Sequence, residues 1–216
     1  MKKYFFKMTP KEFMRQVIEL YINARKPKHY HPNIKRGRSH TISGALEDLF
    51  AAFLAFNVTE HYNFYVDQAI TVNKHTMYPD VMLVKNNMIR NLVDIKTDLG
   101  WKRHQFANLC KDSNAKIAKL GGKKGAIKDG ITKKQESLSF SRKVCNHIVI
   151  ISDQNIQAEL FKKHMKAVEK LSHIDVYVLS KNQHPNAYDK NAEAILKEMD
   201  IQENEFERLM ENLTRN

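Results

Sequence analysis

Two cysteines in 216 residues, Cys110 and Cys145, are too few for a disulfide framework. They fit free thiols in a reducing compartment, so a cytoplasmic location is expected. Neither has zinc-finger spacing to His29 and His31. No apolar run is long enough to span a bilayer, and neither a signal peptide nor a basic amphipathic anchor stands out, so no membrane partner is expected. Glycine is sparse, and its one cluster, Gly121-Gly122-Lys123-Lys124-Gly125, lacks Walker A spacing and follows a helical pattern rather than a strand. No serine–histidine or cysteine–histidine arrangement for nucleophilic catalysis is recognisable, and there is no internal repeat. Acid is also scarce, with 24 Asp and Glu against 36 Lys and Arg, a net charge of +12. A balance this basic points to a polyanionic partner, because neutralising phosphates releases counterions.

What is present suits one domain over residues 1–216, with 42% apolar residues to build its core. Thr9 as N-cap and Pro10 at the first position open a helix to about Ala24, with Phe13, Val17, Leu20 and Tyr21 as one stripe. A basic, turn-rich segment follows from Arg25 to His40. A second helix runs from about Ser43 to Phe56, burying Leu46, Leu49, Phe50 and Phe53. Strands are expected near 62–72, 80–85 and 89–97, then a helix from about Lys102 to Leu120 and a Gly/Lys-rich loop from Gly121 to Ile131. A strand at 145–151, a helix at 154–171, a strand at 174–179 and short helices near 190–199 and 203–213 complete the order.

The most informative stretch is residues 78–96, from Tyr-Pro-Asp to Asp-Ile-Lys. Asp94 and Lys96 share a strand face, with Ile95 pointing the other way. Asp80 opens the preceding apolar run, and Asn86-Asn87 is a turn signal between the two. A two-residue loop there pairs Lys85 with Met88 and sets Val93 opposite Asp80, turning Asp94 away. An odd loop of three residues, Asn86 to Met88, or a bulge sets Asp80 opposite Asp94 instead, and the odd register is the one expected. Two carboxylates and a lysine then meet at one end of a hairpin, a set that can hold Mg²⁺ by oxygen and position a water for attack on phosphate.

Pro79-Asp80, Asp94-x-Lys96 and the upstream helical Glu47 resemble the PD-(D/E)XK nuclease superfamily, in particular its type II restriction endonucleases. The helix–three strands–helix–strand–helix–strand order, over roughly residues 43–180, is similar to that family's core. The resemblance implies an α/β fold: a mixed sheet of an antiparallel three-strand meander plus parallel strands, flanked by helices. Residues 1–42 and 181–216 are then peripheral. It implies Asp80 and Asp94 as Mg²⁺ ligands, with the Ile95 carbonyl and Glu47 as further ones, and Lys96 orienting the water or stabilising the transition state. Products would carry 5′ phosphates. For double-stranded DNA, candidate contacts are Lys35, Arg36 and Arg38 in the basic segment, Lys102, Arg103 and His104 after the catalytic strand, and Lys123, Lys124 and Lys128 in the Gly/Lys-rich loop. A homodimer is expected, with the first helix and the terminal helix around Phe206, Leu209, Met210 and Leu213 as candidate surfaces. A structure-selective or repair nuclease of the same superfamily is the alternative. A non-catalytic DNA-binding module is the reading from another class.

Overall fold

The computed structural model describes residues 7–26, 31–34, 37–58, 61–100 and 102–215. Helix α1 (Pro10–Ala24) starts with a capping box in which Thr9 and Glu12 satisfy each other's backbone N–H. Its inward residues Phe13, Met14, Val17, Ile18 and Tyr21 pack on α2 (Ser43–Asn57), which contributes Leu46, Phe50, Phe53 and Leu54. The Phe13 ring centroid lies 5.7 Å from that of Phe50 and 5.1 Å from that of Phe53. The strand expected over 62–72 is divided. β1 (Asn63–Val66) ends at Asp67, which takes φ 45°, and β2 (Ile70–Val72) forms a hairpin with β3 (His75–Met77) through Asn73 and Lys74, both at positive φ. A turn residue inside an apolar run is what the period-2 pattern hid.

The chain continues through β4 (Val81–Lys85), β5 (Met88–Lys96), α3 (Phe106–Ala118), β6 (Lys124–Lys128), β7 (Gln135–Ile150), α4 (Ala158–Val168) and β8 (Ile174–Val178). β9 (Ser180–Lys181), α5 (Ala192–Glu198), β10 (Asp200–Ile201) and α6 (Glu203–Thr214) follow. β1, β4 and β5 are antiparallel neighbours, while β5, β7 and β8 are parallel. The fold is α/β, a mixed sheet flanked by helices. α1, α2, α5 and α6 cover Val81, Val93, Ile95, Val149 and Tyr177 on one face, and α3 and α4 cover Ile148, Ile150 and Val176 on the other.

The Gly/Lys-rich loop expected at 121–131 is in large part a strand. β6 pairs with the start of β7, which begins at Gln135 rather than near 145. Its alternation is real, Gly125 and Ile127 buried and Lys124, Ala126 and Lys128 exposed, but lysines on the outer face disguise it. Gly125 is required by its close neighbour: an added Cβ would lie 2.5 Å from Ile70 Cδ1 on β2. Pairing of β2 with β6 gives the order β1-β4-β5-β7-β6-β2-β3. Because a short link joins β1 to β2, the sheet curls around Ile70, Val84, Ile89, Leu92, Ile127 and Phe140.

A buried polar circuit ties α6 to the sheet. Asn212 Nδ2 donates to the Tyr177 hydroxyl, which lies 3.0 Å from His147 Nδ1. His147 Nε2 lies 3.0 Å from Asn91 Oδ1, and Asn91 Nδ2 donates to the Leu213 carbonyl. Since that amide N–H is directed at Leu213, Asn91 Oδ1 accepts, His147 carries its proton on Nε2, and Nδ1 accepts from Tyr177. Complete burial holds the His147 pKa down at about 4, so the ring is neutral at pH 7. The apolar stripes expected to serve a dimer are used inside this subunit: Phe206, Leu209 and Leu213 of α6 are buried beside those of α1.

Candidate active site

The β4–β5 hairpin departs from the expected three-residue loop. Asn86 and Asn87, at φ 53° and 58°, form a two-residue turn, and Lys85 pairs with Met88. Val84 pairs with Ile89 but Leu83 with Asn91, so Arg90 is an extra residue in a bulge. Beyond it Val81 pairs with Val93, and one further step sets Asp80 opposite Asp94. The required register is reached by the bulge.

β5 runs past the first residue of β4, so Ile95 N–H has no strand partner there. Asp80 Oδ2 accepts it at 2.5 Å, and Lys96 Nζ is 3.6 Å from the same oxygen. N–H and C=O of one strand residue point the same way, which directs the Ile95 carbonyl into the same gap. Asp94 Oδ2 accepts from Asn146 Nδ2 at 2.9 Å. Glu47, on α2, joins Asp94, Ile95 and Lys96 in lining a cavity of about 450 Å³. Ser43, Thr97, Asp98 and Lys102 extend its polar side, and Leu99, Phe106, Leu109, Cys110 and Ile148 form an apolar wall.

Burial raises the Asp80 pKa, with Asp94 adding to the push and Lys96 and the Ile95 N–H opposing it. Glu47 is also raised, by burial first and then by Asp80, Asp67 and Asp48, with Lys96 opposing. These acids crowd one another, and a divalent cation would relieve the crowding. The donor set is oxygen only, which fits Mg²⁺.

Lys35, Arg36 and Trp101 lie outside the described residues. Arg38 is exposed. Arg25, at the head of the basic segment, is engaged within the fold: its guanidinium donates to Asn186 Oδ1 and the Ala187 carbonyl and covers the Tyr188 ring. Lys102, Arg103 and His104 are exposed in turns ahead of α3, which starts at Phe106 rather than Lys102. Lys123, Lys124 and Lys128 are exposed on or beside β6. The curl of the sheet matters here. The Lys128 carbonyl accepts from Gln68 Nε2, and the neighbouring Asp67 N–H donates to the Asp80 carbonyl. That brings the Lys128 end of β6 toward the carboxylates, with Lys124 about 13 Å further along the strand.

Two site residues went unnoticed in the sequence. Asp98 Oδ2 is 3.2 Å from His184 Nε2 and accepts from Asn155, while Oδ1 accepts from Gly100 N–H. Burial alone would raise its pKa, but these bonds outweigh burial and lower it. Asn146 is the other; its only sequence signal is an amide inside the apolar run of 144–151.

Cys145, His147 and Asp175 also bring donor atoms within 4.8 Å of one another. Protons already satisfy that cluster. The Cys145 thiol donates to Asp175 at 3.5 Å, burial keeps its pKa raised, and the Tyr177 hydroxyl occupies the His147 Nδ1 lone pair. No protein-family model, curated protein or solved structure matches the chain. Among the described residues, no helix is long and apolar enough to cross a membrane.

Proposed function

We propose that this chain is a Mg²⁺-dependent, sequence-specific endonuclease for double-stranded DNA, of type II restriction type, with the restriction-endonuclease-like core of the PD-(D/E)XK superfamily. One observation carries the reading: a two-residue turn followed by a bulge sets Asp80 opposite Asp94, with Lys96 3.6 Å from Asp80. Asp80, Asp94, the Ile95 carbonyl and Glu47 would hold the metal, which neutralises phosphate charge and lowers the pKa of its water. The Ile95 N–H orients Asp80. Lys96 donates toward the attacking water or a phosphate oxygen and stabilises the negative charge of the transition state. Hydrolysis leaves 5′ phosphates. Arg38, Lys102, Arg103, His104, Lys123, Lys124 and Lys128 engage the DNA backbone, and Lys35 and Arg36 extend the first basic segment. A homodimer places one site on each strand of a palindrome.

The test is to incubate a long DNA of known sequence with the protein and Mg²⁺ and map the ends. Discrete fragments with 5′ phosphates, absent with Asp94→Ala, support the reading. Cuts confined to branched or damaged DNA replace it with a structure-selective or repair nuclease. Binding without cleavage replaces it with a DNA-binding module.

A further inference from the structure

Asn146 stands on β7, next to the strand that carries Asp94, and is 4% exposed. Its Nδ2 donates to Asp94 Oδ2 at 2.9 Å and lies 3.4 Å from Ser113 Oγ on α3. Its other polar atom, Oδ1, is buried with no hydrogen-bond partner among the described residues. Stability alone does not account for such a residue. A buried acceptor without a donor costs about 1–3 kcal/mol, and an apolar side chain of the same shape would avoid that cost. The amide cannot turn over to relieve it, because Oδ1 would then face the Asp94 carboxylate. What the amide achieves is directional: it engages Asp94 Oδ2 and leaves Asp94 Oδ1 for other partners.

We propose that Asn146 is a positioning residue for the candidate metal site. It fixes the Asp94 carboxylate so that Oδ1 is offered to the cation, acting through Asp94 and not on the substrate. This rests on the nuclease reading above. Groups that orient a metal ligand from behind alter metal affinity by about 10–100-fold when removed.

Asn146→Leu separates positioning from packing, because it removes the orphaned oxygen together with the donor. The expected result is a melting temperature equal to or above that of the parent, while the Mg²⁺ concentration for half-maximal cleavage rises about tenfold or more. Mn²⁺ binding measured by calorimetry should weaken by a similar factor, and saturating metal should restore most of the cleavage rate. If Asn146→Leu does not fold, Asn146→Ser, whose hydroxyl is too short to reach Asp94, provides the same comparison. Cleavage by the parent protein with an unchanged metal requirement in the folded variant overturns the positioning role alone. A parent protein that neither binds Mn²⁺ nor cleaves DNA overturns the nuclease reading, and this inference with it.

Discussion

At the level of single residues, the carboxylates and lysine divide by what each holds. Lys96 is about half exposed and pairs with Asp80, so Lys96→Ala should fold normally. Its cleavage rate should fall on the order of 10²–10³-fold, the cost of losing one donor to a developing charge. A near-normal rate in single-turnover cleavage would remove Lys96 from the mechanism. His147 makes a prediction independent of catalysis. Its folded pKa, about 4, lies below the ordinary 6.5, so the unfolded chain binds the extra proton. Its contribution is constant above pH 6.5 and declines as pH falls toward 4, a loss on the order of 2 kcal/mol by pH 5. Urea midpoints at pH 7.5 and 5 in the parent and in His147→Asn measure it; equal slopes in both would show the ring is not the titrating group. That Asp80 and Asp94 stand opposite one another was expected from alternation and the Asn86-Asn87 turn, but the Arg90 bulge that sets the register was not located. Asn146 was not legible, because its meaning depends on Asp94, 52 residues away.

Elements carry the next set of consequences, and the bulge is the chief one. Ile89 and Leu92 face the same small core although three residues apart, because Arg90 is the extra residue between them. Deleting Arg90 should therefore leave the pairing of Val81 with Val93 and preserve cleavage within about tenfold. Deleting Leu92 should slip the strand by one residue and turn Asp94 to the opposite face, abolishing cleavage. Equal activity in the two deletions would refute this register. Gly125→Ala tests the sheet's curl, since its Cβ would press on Ile70 from 2.5 Å. A loss of about 1–3 kcal/mol in chemical denaturation is expected, and no loss would mean the two strands lie further apart. The helices and the meander could be read from apolar spacing and caps. The wing of β2, β3 and β6 could not: its burial alternates with glycine and lysine, and its pairing joins Ile70 to Ile127.

For the molecule as a whole, the net charge of +12 becomes a measurable slope. Replacing Lys123, Lys124 and Lys128 by Gln should weaken DNA binding and reduce the log affinity–log salt slope by about 0.9 for each phosphate no longer neutralised. An unchanged slope would place those lysines off the DNA. Stoichiometry is a separate matter, because the apolar faces of α1 and α6 are already buried within the subunit. Sedimentation on a short duplex carrying the target should give two subunits per DNA. One 25.2 kDa subunit cutting both strands would exclude the dimer.

The circuit through Asn212, Tyr177, His147, Asn91 and Leu213 also bears on how the chain is made. Until residue 213 has been synthesised, Asn91 lacks the carbonyl that its amide donates to and Tyr177 lacks the amide that donates to it. Asn91 lies on β5, the strand that carries Asp94 and Lys96. A chain lacking α6 therefore holds that strand without two of the hydrogen bonds that anchor it in the finished fold. Locking of the site therefore waits for α6 and is not set by completion of the hairpin itself.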